Sequence, residues 1–235
     1  MYQRDIRRGR RGGDDGGNWR TRLLASLGLI EYWPLTANAN GAKNGINGAA
    51  TAVTFDANGA LFDGASSFIN LYSAGLAAAF SGPAGTAMLQ AKVANAGVWA
   101  DGVERYLLRL YVDGNNSIAF VKSAAANTFF GAYKAGGVTE QINDVSVPTG
   151  YFTPWITWDK NAGVDGEVKM YFGNTQTGLT QTTLGVWAGA LVDVRTCIGA
   201  AITTPGNIHN GWIRNCALWN RAIPLTEMTK YLPPF

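Results

Sequence analysis

The chain has 235 residues, of which 15% are charged against roughly 25% in an average soluble domain, with 30 Gly, 8 Trp, 9 Tyr and 10 Phe. That composition excludes a coiled coil, a collagen-like fibre, a disulfide-stapled miniprotein and bulk disorder. The net charge of +3 is uneven: residues 1–22 hold seven Arg against Asp5, Asp14 and Asp15, so the remainder sums to −1 and gives the body no general basic character.

Residues 1–18 are rich in Arg and Gly with hardly any apolar content. Such a segment cannot offset its own ordering entropy. An arm that gains order by docking is therefore expected, with Arg4, Ile6, Arg7, Arg8, Arg10 and Arg11 as its anchoring residues. A short helix is predicted from Asn18 to Leu27, capped by Asn18 or Thr21, with Leu23, Leu24 and Leu27 on one side. After Leu29 the pattern changes to period two. Strands are predicted at 29–35, 51–55, 60–62, 67–72, 87–94, 105–112, 117–123, 129–134, 154–159, 167–173, 195–201 and 212–219. Turn residues such as Asp113-Gly114, Gly136-Gly137 and Asp165-Gly166 separate them. Many short strands with this punctuation predict an all-β antiparallel sandwich. Only residues 226–232 read as a C-terminal helix, stopped by Pro233-Pro234. The division is an arm plus short helix at 1–28 and one sandwich domain at 29–235.

Cys197, Cys216 and the single His209 do not make a zinc ligand set. A Cys197–Cys216 disulfide stays open, alongside a Cys216 buried as a small hydrophobe on the same strand face as Leu218. No run of 18 apolar residues is present, so no helical membrane span is expected. The N-terminus lacks the apolar stretch of a secretory signal, and synthesis in the cytoplasm is the expectation.

Three segments resemble the laminin-G-like, or concanavalin A-like, jelly-roll sandwiches. Leu29-Ile-Glu-Tyr-Trp33-Pro-Leu35 is similar to the family's opening strand. Leu61-Phe-Asp63-Gly64-Ala-Ser-Ser-Phe68-Ile-Asn-Leu71 is similar to its F-D-G block. The stretch from Gly211 through Trp219 to Ile223, followed by Glu227, resembles the closing strand and short helix. Ile156–Asp159 and Val168–Asn174 resemble the central paired strands. The resemblance covers about 29–232 and implies a jelly-roll fold. Gly64 would supply a positive φ after Asp63, and Gly173-Asn174 would close a two-residue hairpin.

The same sandwich serves glycoside hydrolases, whose retaining members need two carboxylates about 5–5.5 Å apart. The five Glu form no E-x-D-x-E pattern, and Asp165 and Glu167 flank a hairpin tip. No nucleophile elbow accompanies His209, and no catalytic residues are assigned. The metal expected of this class is calcium, on oxygen ligands, with Asp63 and Asp159 as candidates. Carbohydrate recognition uses aromatic platforms beside amides and carboxylates, which selects Trp99, Asp101, Trp187, Asn207, Asn210 and Trp212. Trp33, Trp158 and Trp219 lie inside strand patterns and are expected in the core. The arm lacks the interleaved aromatics of a single-strand groove, which makes protein docking a better expectation than nucleic acid.

An arm, a short helix and a sandwich without catalytic residues resemble the structural proteins of tailed bacteriophages. The leading expectation is a non-enzymatic virion surface protein, a capsid decoration, fibre-type or tail accessory protein. Its partners would be other virion proteins and further copies of itself. The alternative is a carbohydrate-binding module for host glycans, with a glycoside hydrolase ranked behind both.

Overall fold

The computed structural model describes residues 18–145, 148–204 and 206–234. The anchoring residues Arg4 to Arg11 lie outside the described residues. Fifteen strands and three α-helices follow one another: α1 Asn18–Leu24, β1 Leu29–Trp33, β2 Ala49–Thr51, β3 Thr54–Asp56, β4 Gly59–Asp63, β5 Phe68–Asn70, α2 Ala74–Ala79 and β6 Ala84–Val93. Then come β7 Arg105–Asp113, β8 Asn116–Lys122, β9 Phe129–Ala135, β10 Val138–Asp144, β11 Pro154–Asp159, β12 Glu167–Phe172, β13 Thr175–Thr182, β14 Cys197–Ile198, β15 Asn210–Trp219 and α3 Leu225–Met228. The predicted all-β sandwich is the architecture observed. One sheet, the first, runs β13-β12-β11-β6-β15-β4-β3, with β1 also paired to β15. The second runs β10-β9-β8-β7-β14-β5-β2. All the pairings between strands are antiparallel.

The long closing strand β15 organises the first sheet. Along one edge it pairs with β6 from Gly211 to Trp219. The other edge is shared, with Asn210–Ile213 opposite β4 and Cys216–Trp219 opposite β1. Between the sheets lies a core that includes Trp33, Phe62, Leu89, Phe120, Phe129, Ile156, Trp158, Ile213, Cys216 and Leu218. A second apolar layer covers the outside of the first sheet, where Leu23 of α1 and Met228 and Tyr231 near the C-terminus pack on Met88, Trp155, Ala217 and Trp219. Because this sheet is covered on both faces, β1 and the second half of β15 are buried at every position. The expected burial of Trp33, Trp158 and Trp219 holds.

Several boundaries move for physical reasons. The expected strand at 51–55 divides at Ala52, whose φ of +52° sends β2 into one sheet and β3 into the other. The helix α1 stops at Leu24, so Leu27 falls beyond it and is 78% exposed instead of joining Leu23. Thr21 lies inside the helix and is not its cap. The expected strand at 195–201 shrinks to Cys197–Ile198, preceded by a 3-10 turn at Asp193–Arg195. The C-terminal helix is the four residues Leu225–Met228. Edge strands β10 and β13 were not expected. Their Thr- and Gln-rich, largely exposed sequences carry no apolar alternation to announce them. Gly64 takes the anticipated positive φ of +77°, and Gly173-Asn174 is the two-residue link between β12 and β13.

Cys197 and Cys216 are both free and buried. Cys216 joins the inter-sheet core beside Leu218, whereas Cys197 packs with Phe68, Ala200 and Ile208. The disulfide left open by the sequence is not formed. Burial pushes the Cys197 thiol up to about 12, so both residues act as small hydrophobes.

The polar groups that are buried are mostly satisfied. Glu31 in β1 is fully buried. Its carboxylate accepts the backbone N–H groups of Tyr32 (2.9 Å), Lys43 (2.6 Å), Asn44 (2.9 Å) and Ile46 (2.8 Å). Those bonds fix a Gly- and Asn-rich loop that has no strand or helix of its own. Lys122, 1% exposed, reaches Asp101 at 2.6 Å, and Arg105 reaches the same carboxylate at 2.7 Å. Among the described residues the exceptions are Thr153 Oγ1, Trp155 Nε1, Trp212 Nε1 and both ring nitrogens of His209, which are buried without a hydrogen-bond partner.

Candidate functional site

On the outer face of the first sheet, the apolar layer gives way to a polar groove. Trp212 of β15 stands opposite Lys92 of β6, and the Lys92 ammonium lies 5.4 Å from the Trp212 ring centre and 5.9 Å from that of Tyr151. Next along β15 the register slips between Ile213 and Asn215. Such a bulge re-aims the side chain it carries, and here that side chain is Arg214. Gly59 makes the slip sterically feasible. It sits at φ +120°, and a Cβ there would lie 2.6 Å from the Arg214 Cα.

The Arg214 guanidinium stacks 4.2 Å over Tyr151. Its Nε donates to Gln90 Oε1, and one terminal nitrogen donates to the Pro234 carbonyl. Gln90, fully buried, also accepts from Asn215 Nδ2 at 2.8 Å. Asn215 Oδ1 in turn accepts from the Tyr32 hydroxyl at 2.6 Å. Burial, opposed by Arg20 and Arg214, raises the Tyr32 phenol to about 12, so it remains a protonated donor at neutral pH. Trp19 packs edge-on against Tyr32 at 6.1 Å, and the Arg20 guanidinium lies 5.4 Å over the same ring. The hollow among Trp19, Arg20, Tyr32, Pro34, Arg214 and Asn215 has a volume of about 230 Å³.

Three cations therefore line one aromatic surface. Among the described residues, none of Arg20, Lys92 and Arg214 takes part in a salt bridge, the bridged cations being Arg105, Lys122, Lys169 and Arg221. An acid near this end, Asp56, is engaged in its own turn, accepting the Asn58 N–H at 2.6 Å. Ring faces and guanidinium donors suit a hydroxylated ring ligand, while the buried amides of Gln90 and Asn215 hold the arginine and tyrosine in place.

The other residues singled out from sequence are scattered. Trp99 is 2% exposed, its ring packs on Phe152 at 5.8 Å and its Nε1 donates to the Pro148 carbonyl. It is a core residue and no platform. Asp101 is occupied by Lys122 and Arg105. Trp187 is half-buried against Phe80 (5.5 Å) and Tyr133 (5.9 Å). Asn207 is exposed and donates to Glu104 at 3.0 Å. Asn210 begins β15 opposite Asp63, two residues before Trp212. Trp212 alone of the set belongs to the groove.

The calcium candidates do not share a site. Asp63 Oδ1 accepts the N–H groups of Ala65, Ser66 and Ser67 and the Ser67 hydroxyl, and Oδ2 accepts the Ser66 hydroxyl. Burial opposes ionisation, but these bonds outweigh it and hold the carboxyl well below its usual range. The group is a turn organiser. Asp159 accepts the Asn161 N–H at 2.9 Å and faces Glu167 across β11 and β12. Glu167 is bridged to Lys169 at 2.5 Å, beside a cavity of about 200 Å³. Among the described residues, no group of three His, Cys, Asp or Glu could hold a metal ion.

No protein-family model matches the sequence, and no curated protein matches it. Solved structures do share the fold. Domain 4 of AbnA, a GH43 extracellular arabinanase from Geobacillus stearothermophilus in complex with arabinotriose, superposes with TM-score 0.64 at 14% identity, over 86% of this chain and 97% of that one. The CBM40 of the Ruminococcus gnavus IT-sialidase, bound to α2,3-sialyllactose, gives 0.56 at 11% identity over 77% and 96%. The receptor-binding domain of botulinum neurotoxin mosaic serotype C/D gives 0.61 at 13% identity over 86% and 49%. At these identities the likeness is one of fold.

The groove was missed because its residues come from six places in the chain, at 19–20, 32–34, 90–92, 151, 212–215 and 233–234. A partial signal existed in the polar positions of otherwise apolar strands, Gln90 and Lys92 in β6, Trp212 and Arg214 in β15. A bulge cannot be read from alternation, and α1 gave no hint of which face it would cover.

Proposed function

We propose that this domain is a non-catalytic carbohydrate-binding module and that its ligand lies along the groove from Trp212 to Trp19. The observation that carries the reading is the groove itself, a row of aromatic rings flanked by guanidinium and ammonium donors. Two structural neighbours that match this fold along nearly their whole length hold oligosaccharides, which supports it. The virion-surface reading depends on the composition of residues 1–18 and has no other support. It concerns how such a module would be displayed.

Trp212→Ala tests the reading. The wild type is expected to bind at least one member of a glycan array, and the variant to lose about tenfold or more in affinity by calorimetry, the usual penalty for an aromatic anchor. Its far-ultraviolet circular dichroism should match the wild type. An array without any binding, or full affinity in the variant, would overturn the assignment.

A further inference from the structure

We infer that the groove selects acidic saccharides, with a sugar carboxylate seated between Arg20 and Arg214. The inference rests on the carbohydrate-binding reading and adds the charge of the ligand. Its basis is uncompensated, oriented positive charge. The Arg214 guanidinium is fixed by Gln90, Pro234 and the Tyr151 ring, and among the described residues Nη1 has no hydrogen-bond partner. Arg20 is exposed and makes no hydrogen bond to another described residue, its guanidinium resting over Tyr32. Both line the same hollow, and Lys92 extends the positive surface toward Trp212.

The two guanidinium groups lie 5.4 and 4.2 Å from the ring centres of Tyr32 and Tyr151, and guanidinium N–H groups not used by the protein suit a carboxylate. A neutral sugar would use the rings and leave three cations idle. Pro34, Pro233 and Pro234 on the wall have no N–H to offer, so the charged donors on the lining are the two arginines, beside the neutral Thr36 hydroxyl and Trp19 indole. A long polyanion such as nucleic acid fits less well. The hollow of about 230 Å³ accommodates a single ring, and the chain beyond residue 22 has a net charge of −1.

The test compares short acidic glycans with their carboxyl-reduced counterparts, using trigalacturonate and sialyllactose as the acidic members, by calorimetry at 20 and 200 mM NaCl. The acidic form is expected to bind about tenfold more tightly than its reduced partner, and the advantage should shrink at the higher salt. Arg214→Gln and, independently, the exposed Arg20→Gln should bring the two forms to similar affinity, whereas Trp212→Ala should weaken both. Equal binding of acidic and reduced forms by the wild type would overturn the inference and leave the carbohydrate reading standing. Failure of every glycan would overturn both. Equally tight, arginine-dependent binding of single-stranded oligothymidine would overturn the saccharide assignment in favour of a phosphate ligand.

Discussion

Replacing Trp219 by alanine is expected to lower the unfolding free energy by about 3–5 kcal/mol, the range for removing a buried aromatic from a packed layer. Trp219 is fully buried, stacks on Trp155 at 5.7 Å and on Tyr231 at 6.1 Å, and donates from Nε1 to the Ser26 hydroxyl at 2.8 Å. Ser26 in turn donates to the Leu23 carbonyl at 2.7 Å. One indole thus joins the last strand, the end of the N-terminal helix and the C-terminal segment. Trp219→Phe should keep most of the packing and lose the indole hydrogen bond, costing about 1 kcal/mol beyond the change in volume. Urea unfolding of the three proteins checks this. A loss below 1 kcal/mol in the alanine variant would show that the outer layer is not part of the cooperative unit.

Acidification from about pH 6.5 to pH 4 is expected to remove up to about 3 kcal/mol through His209 alone. Burial, with Arg105 adding in the same direction, lowers this imidazole to about 4, and the backbone groups of Lys92 and Trp212 oppose the shift only in part. The sign follows from which state binds the proton. Between the folded value and the ordinary value of about 6.5, the unfolded chain is protonated and the folded chain is not. Stability is therefore full above the ordinary value and falls as pH drops through that window. The carboxylates held low, Asp63 and Asp101, act in the same sense but in a lower window: their contributions are full above about pH 4 and are lost only as pH falls further. His209 is the only histidine in the chain; burial raises the Glu140 carboxyl, which acts in the opposite sense at the acid end of the window from 4.5 to 6.5, so the comparison with a His209 variant isolates the imidazole. In His209→Gln the slope of unfolding free energy against pH across that window should flatten, whatever the variant's absolute stability. An unchanged slope would sink the assignment.

The sandwich was legible because Ile156 and Trp158, or Ile213, Cys216 and Leu218, recur on one face of strands with Gly and Asn between them. The edge strands were not legible, since β13 buries almost nothing and is held by pairing with β12 and by polar contacts such as the Thr177 hydroxyl donating to Asp144 Oδ2 of β10. Neither was the site. Trp99 and Trp212 look alike in sequence, each an aromatic near Asn or Asp. What separates them is a 3-10 turn that folds Trp99 inward and a strand phase that turns Trp212 outward. Lys92 and Arg214 became visible only once β6 and β15 were paired and the bulge located. The free thiols show the same limit, because spacing alone could not place Cys197 and Cys216 in different apolar clusters.

The two ends of the described chain form opposite banks of one groove, Trp19 and Arg20 on one side, Pro233 and Pro234 on the other. On the binding reading proposed above, the ligand surface is a seam between segments more than two hundred residues apart, and local opening there would leave the strand pairings of the sandwich untouched. Occupancy and seam closure are then one linked equilibrium: whatever sits in the groove holds the ends together, and whatever pulls an end away empties it. A purification tag on either end would act on that equilibrium directly, whereas the Gly114 turn between β7 and β8 provides an attachment point on the opposite sheet.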